Sequence, residues 1–137
     1  MRLGKDSKVE LIKNVPLFSK LSKKQLEDVA HIADELDLPA GKVMATEGDR
    51  GREFFVLLEG TADVRKGNRR INTMGDGDFF GEIALVARVP RTATVTATSD
   101  VRVLVINERD FAALLKSSPS VSRAVAEVLV ERVELPA

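Results

Sequence analysis

Residues 80–95 read Phe80-Gly-Glu-Ile-Ala-Leu-Val-Ala-Arg-Val-Pro-Arg-Thr-Ala-Thr-Val95. Gly81 frees the backbone for a turn and lets it approach a ligand with no Cβ in the way. Glu82 then opens a predicted short helix over 82–87, whose first amides lack internal partners and face outward as donors. Pro90 ends that helix and biases Val89 toward an extended conformation. Arg91 starts a predicted strand, which fixes the direction of its guanidinium, and Thr92 adds a hydroxyl beside it. A guanidinium grips two phosphate oxygens at once, whereas an ionised carboxylate only accepts and so suits sugar hydroxyls. The two charges sort a ligand: sugar at Glu82, phosphate at Arg91. One guanidinium plus a helix start suits a single negative charge, as in a cyclic phosphodiester. A plainer reading pairs Arg91 with Glu82 or another carboxylate on the surface, an arrangement that is common and weak. Spacing alone leaves both readings open.

Outward from this stretch, short runs rich in Val, Leu and Thr alternate with glycine-bearing turns across 37–106. Strands are predicted over 42–46, 54–58, 62–64, 69–74, 92–98 and 101–106. The apolar run at 54–58 is continuous, which predicts burial on both faces. Ala62 and Val64 alternate with polar neighbours, and Lys66-Gly-Asn68 is a hairpin turn. Phe79 and Phe80 are expected to anchor one side of the cassette in the core. Ala93, Val95 and Ala97 also face the core, so Thr94 and Thr96 are plain strand threonines. Many short strands between turns predict an all-β barrel or double-sheet roll.

Helical signals flank the roll. Residues 1–8 are polar and expected to fray. Val9, Leu11 and Ile12 begin a short helix that stops before Pro16, and Leu17 with Phe18 forms an apolar plug. Ser22 and Gln25 make a capping box, followed by a stripe of Leu26, Val29, Ala30, Ala33 and Leu36 at helical spacing. His31 falls off that stripe and reads as a solvated residue. Asn107 caps a helix carrying Phe111, Leu114 and Leu115. Pro119 opens a last helix with Val121, Val125, Val128 and Leu129 on one face. That face leaves packing on the roll, or on another copy of the chain, open. The layout is one domain over 1–137: helices over 1–36, a roll over 37–106 with its cassette at 79–95, and helices over 107–137.

Composition closes several routes. Lys plus Arg equals Asp plus Glu, giving a formal net charge of zero across 137 residues; a general nucleic-acid binder usually carries a basic excess. With no cysteine and one histidine, disulfides, thiolate metal sites and histidine-rich metal sites are excluded. A metal-dependent β-barrel enzyme fails on ligand count. No nucleophile–base pair is evident, so no catalytic residue is assigned. The P-loop pattern is absent, and Gly75, Gly77 and Gly81 do not fit the dinucleotide fingerprint. The N-terminus is too polar for a signal peptide and no apolar run reaches membrane-spanning length, so the expected location is the cytoplasm.

The run from Phe80 to Leu85, with Pro90-Arg-Thr-Ala-Thr-Val95, closely resembles the phosphate-binding cassette of the cyclic nucleotide-binding domain family. This is the domain of catabolite activator protein, protein kinase A regulatory subunits and cyclic-nucleotide-gated channels. Val15-Pro-Leu-Phe18, the Glu47-Gly-Asp49 turn and the strand ending at Gly60 extend the resemblance over nearly the whole chain. The resemblance implies a mainly β fold, a double-stranded β-helix or jelly-roll-like β-roll, with N-terminal helices and C-terminal lid helices. It implies that Glu82 takes the ribose 2′-hydroxyl and Arg91 the exocyclic phosphate oxygens. The amides of Gly81, Ile83 and Ala84 would add donors. A hydroxyl at Thr92 would contact the phosphate and in some members favours guanine. Ala62 and Val64 would flank the base, and Arg132, ahead of Arg123, would cap it from the lid. The expected function is a cyclic-nucleotide sensor for cyclic AMP, slightly preferred over cyclic GMP. It would have no cofactor, an effector protein or domain as partner, and movement of the C-terminal helices as its signal. The alternative is a protein-interaction module on the same fold. A transcription regulator is disfavoured, since too little chain follows the lid for a helix-turn-helix domain.

Overall fold

The computed structural model describes residues 5–134; residues 1–4 and 135–137, on which part of the predicted N-terminal fray and the end of the last helix fall, lie outside the described set. Helix α1 (Lys5–Lys13) leads through a 3₁₀ turn at Pro16–Phe18 into α2 (Lys23–Ile32). Lys5 and its successors are thus helical rather than frayed. The capping box on α2 forms as predicted: Gln25 N–H donates to Ser22 Oγ at 3.2 Å and Ser22 N–H to Gln25 Oε1 at 2.9 Å. The helix nevertheless stops at Ile32. Leu36, placed by spacing on the helical stripe, belongs instead to strand β1 (Asp34–Leu38), where it faces Val103 across an antiparallel pair. Strand pairing overrides the helical period here.

The remaining strands are β2 (Val43–Ala45), β3 (Glu53–Glu59), β4 (Ala62–Lys66), β5 (Arg69–Met74), β6 (Phe79–Phe80), β7 (Thr94–Ala97) and β8 (Val101–Asn107). Helix α3 (Glu82–Ala87) interrupts them, and α4 (Glu108–Ser117) and α5 (Pro119–Glu134) follow. The strands form two antiparallel four-stranded sheets, ordered β1-β8-β3-β6 and β2-β7-β4-β5. This is the predicted double-sheet roll with flanking helices.

The period of two along β3 explains its continuous apolar run. Phe54, Val56 and Leu58 turn outward to a cluster shared with the helices, including Ile12, Phe18, Val29, Phe111 and Val121. Phe55 and Leu57 turn inward to a second cluster with Ala62, Met74, Phe80, Val95 and Val103. The two residues of β6 divide the same way, Phe79 joining the helices and Phe80 the inter-sheet core. Phe80 stacks on Phe55 at 4.6 Å between centroids, and Phe79 lies 5.5 Å from Phe54. The cassette that follows is therefore fixed by both cores.

At the other end, Asn107 Oδ1 accepts from Asp110 N–H at 2.8 Å and starts α4. Val121 and Val125 bury the inner face of α5, which carries the helix back across the cassette. No helix among the described residues is long and apolar enough to cross a membrane.

Candidate functional site

Gly81 sits at φ +100°, left-handed backbone that favours glycine, and starts α3 at the position predicted for it. A Cβ there would lie 2.7 Å from the Glu53 carbonyl oxygen and 2.8 Å from Arg91 Nη1. The missing side chain is what lets the cassette turn lie against β3 and the guanidinium. Helix α3 closes on Arg88, itself left-handed at φ 56°, two residues ahead of Pro90.

Arg91 does not begin a strand; β7 starts at Thr94. Its backbone is fixed instead by the Glu47-Gly-Asp49 turn. Arg91 N–H donates to Asp49 O at 2.7 Å and Gly48 N–H donates to Arg91 O at 2.8 Å. Gly51 supplies the last piece of space, since a Cβ on it would fall 2.9 Å from the Arg91 guanidinium carbon. The side chain is 7% exposed. Its Nη2 donates to the Glu53 carbonyl at 3.0 Å and stands 3.8 Å from the Glu53 carboxylate. Nη1 is buried with no hydrogen-bond partner. Burial pulls the guanidinium below its ordinary pKa, opposed by Glu53 and Glu82. An arginine still stays protonated under such conditions, so the wall of the site carries a desolvated cation with one donor nitrogen uncommitted.

Glu82 is 1% exposed. It does not pair with Arg91, as the plainer reading of the sequence allowed. Its Oε1 accepts from Arg132 on α5, and the same guanidinium donates to the Phe79 carbonyl and lies 5.3 Å over the Phe79 ring. A buried carboxylate requires a counter-charge, and α5 provides one. Arg132, expected as a cap over a base, is thus engaged at the carboxylate.

Burial raises the Glu82 carboxyl above the usual carboxylate range, against the opposing pull of Arg132 and the backbone N–H groups of Glu82 and Ile83. A carboxyl raised in the folded state holds its proton more tightly than in the unfolded chain. Its stabilising contribution is full below the ordinary carboxylate range and is lost as pH rises through the elevated value. Glutamine does not titrate, so the melting temperature of wild type is expected to fall relative to that of Glu82→Gln as pH rises above the ordinary carboxylate range of about 4. Thermal melts at rising pH check this; a constant difference would contradict burial as the dominant influence on Glu82.

These residues line one cavity of about 240 Å³. Gly81, Glu82, Ile83, Ala84, Arg91, Thr92, Val64 and Arg132 are all on its wall. Ala62 is not. At 1% exposure it is packed in the inter-sheet core, opposite Met74 and Ala97. Ala45, Phe80, Ala93 and Val95, read from the sequence only as strand or core residues, are also on the wall, and so are Lys66, Ile71, Asn72 and Met74 of the β4–β5 hairpin. The only sequence signal for these last four was their place around the Lys66-Gly-Asn68 hairpin. No group of acidic and histidine side chains among the described residues could hold a metal ion.

Residues 35–118 match the sequence profile of the family described as Cyclic nucleotide-binding domain. A cyclic nucleotide-gated potassium channel of Rhizobium etli is 34% identical over 123 residues, covering 90% of this chain and 34% of the channel. A cAMP-dependent protein kinase regulatory subunit of Mycosarcoma maydis is 40% identical over 118 residues, covering 77% of this chain and 22% of that protein. The solved structure of cAMP-bound PfPKA-R aligns with a TM-score of 0.80 at 27% identity, over 93% of this chain and 46% of that one. The chain therefore spans about a third or less of the two curated relatives. A profile match across more than half of its residues establishes that this chain belongs to the cyclic nucleotide-binding domain family.

Proposed function

We propose that this domain is a regulatory sensor that binds a cyclic mononucleotide, cyclic AMP or cyclic GMP, and carries out no chemistry on it. The observation that carries the reading is Arg91, which lines the cavity and has a buried Nη1 without a hydrogen-bond partner. A desolvated donor on a cation costs free energy unless an acceptor meets it, and a phosphodiester monoanion supplies acceptor and countercharge together. Arg91 takes the exocyclic phosphate oxygens, Gly81 and Ala84 face them with their amides, and Thr92 adds its hydroxyl. Glu82 takes the ribose 2′-hydroxyl. The cAMP held in the PfPKA-R structure supports this choice of ligand class.

The signal leaves through α5. Arg132 ties that helix to Glu82 and to the Phe79 carbonyl, so a sugar hydroxyl arriving at Glu82 changes what the lid is attached to. Ligand preference for one arrangement of α5 then shifts its population. The receiver is another domain or protein that contacts the C-terminal helices.

Calorimetric titration with cyclic AMP and cyclic GMP, and with 5′-AMP as the dianionic control, tests the reading. Saturable binding of a cyclic nucleotide in preference to 5′-AMP is expected; no heat and no thermal shift with either cyclic nucleotide would end it. Glu82→Ala is expected to weaken cyclic nucleotides by about tenfold, one charge-assisted hydrogen bond, while changing the affinity of their 2′-deoxy analogues much less. Equal losses for both would remove Glu82 from the sugar.

A further inference from the structure

The β4–β5 hairpin holds an irregularity that the reading above does not use. Val64 pairs with Asn72 and Arg65 with Arg70, so Ile71 is an extra residue in β5. Such a bulge turns two successive side chains toward one side, and both Ile71 and Asn72 line the cavity. Lys66 lines it as well, two residues on from Val64 and so on the same face of β4. Apolar Val64, Ile71 and Met74 give this wall a surface on which a flat ring can lie. Asn72 and Lys66 are its polar groups. Asn72 Oδ1 already accepts from Thr73 N–H at 2.9 Å. Its Nδ2 makes no hydrogen bond among the described residues, and an ammonium only donates. This end of the cavity is therefore rich in donors.

We propose that Asn72 and Lys66 read the base, and that they favour a purine with an oxo group at position 6 over one with an amino group. The proposal rests on the cyclic nucleotide reading above. With phosphate at Arg91 and sugar at Glu82, the base is left to meet the hairpin wall. A 6-oxo purine presents two acceptors, O6 and N7, along one edge, whereas adenine presents N7 beside its N6 amino donor. Two donor side chains match the first edge. They set an amine against an ammonium on the second.

Cyclic IMP and cyclic AMP share the same sugar and phosphate and differ at the position-6 end of the base, so the pair isolates this contact. Calorimetric titration of the wild-type chain is expected to give cyclic IMP about tenfold tighter binding than cyclic AMP, the size of one hydrogen bond to a charged group. Asn72→Leu and Lys66→Met are expected each to lower affinity for cyclic IMP about fivefold or more, with cyclic AMP changing less than about twofold. Asn72→Asp, which exchanges donors for acceptors, is expected to tilt the ratio toward cyclic AMP. Both positions lie on solvent-accessible parts of the hairpin, and unchanged melting temperatures will show that the variants fold. Equal wild-type affinity for the two purines, or equal losses for both in the variants, overturns the proposal while leaving the sensor intact. Failure of the wild type to bind any cyclic nucleotide overturns both.

Discussion

Arg91→Ala is expected to lower cyclic nucleotide affinity by about a hundredfold or more, with the roll still folded. Each charge-assisted hydrogen bond contributes about 1.5–3 kcal/mol, and a guanidinium can make two to one phosphate. Their joint loss corresponds to roughly two to four orders of magnitude in dissociation constant. The protein itself uses only part of this side chain, since Nη2 reaches the Glu53 carbonyl and Nη1 reaches nothing. Alanine removes a cation that burial already disfavours, and the Glu53 carboxylate left behind is half exposed, so the melting temperature should move little. Calorimetry with wild type and variant checks the first expectation and scanning calorimetry the second. Equal affinities would take Arg91 out of the site.

Gly81→Ala carries the second large expected effect, and it falls on stability and binding together. A left-handed backbone costs a non-glycine residue about 1–2 kcal/mol, and the new methyl also meets the Glu53 carbonyl and Arg91 Nη1 at under 3 Å. The carbonyl belongs to a paired strand, so the guanidinium is the partner that yields. A drop in melting temperature of about 5–15 °C is expected from a loss of a few kcal/mol, with affinity falling as Arg91 is displaced. Gly41→Ala separates the two causes, since Gly41 has φ +91° but nothing within 4 Å of its Cβ position. It should show the backbone strain alone. Equal melting temperatures for the two variants would mean that the contacts around Gly81 contribute nothing.

The legible parts of this molecule were those set by neighbours in sequence. Gly81 before it and Pro90 after it bounded α3, and its ends stand where they were expected. The Ser22–Gln25 box, the Asn107 cap and the β4–β5 turn are equally local. What escaped depends on pairing across the fold. Ala33 and Leu36 kept helical spacing, yet hydrogen bonds to β8 draw the chain from residue 34 into a strand. Arg91 was placed in β7, whereas contacts with Gly48 and Asp49, more than forty residues earlier, hold it. Ile71 meets the cavity beside Asn72 because of a bulge in the pairing with β4, which no local pattern announces. The Arg132–Glu82 pair joins residues fifty positions apart, and no periodicity announces it.

Phe79 and Phe80 stand next to each other in sequence yet answer to different cores. A two-residue strand has no slack to absorb a mismatch between them. Rotating it to relieve one cluster would compress the other, and close-packed interiors resist partial compression. Any displacement of this strand therefore disturbs both hydrophobic clusters at once, so the segment after it keeps its place only while the two clusters agree.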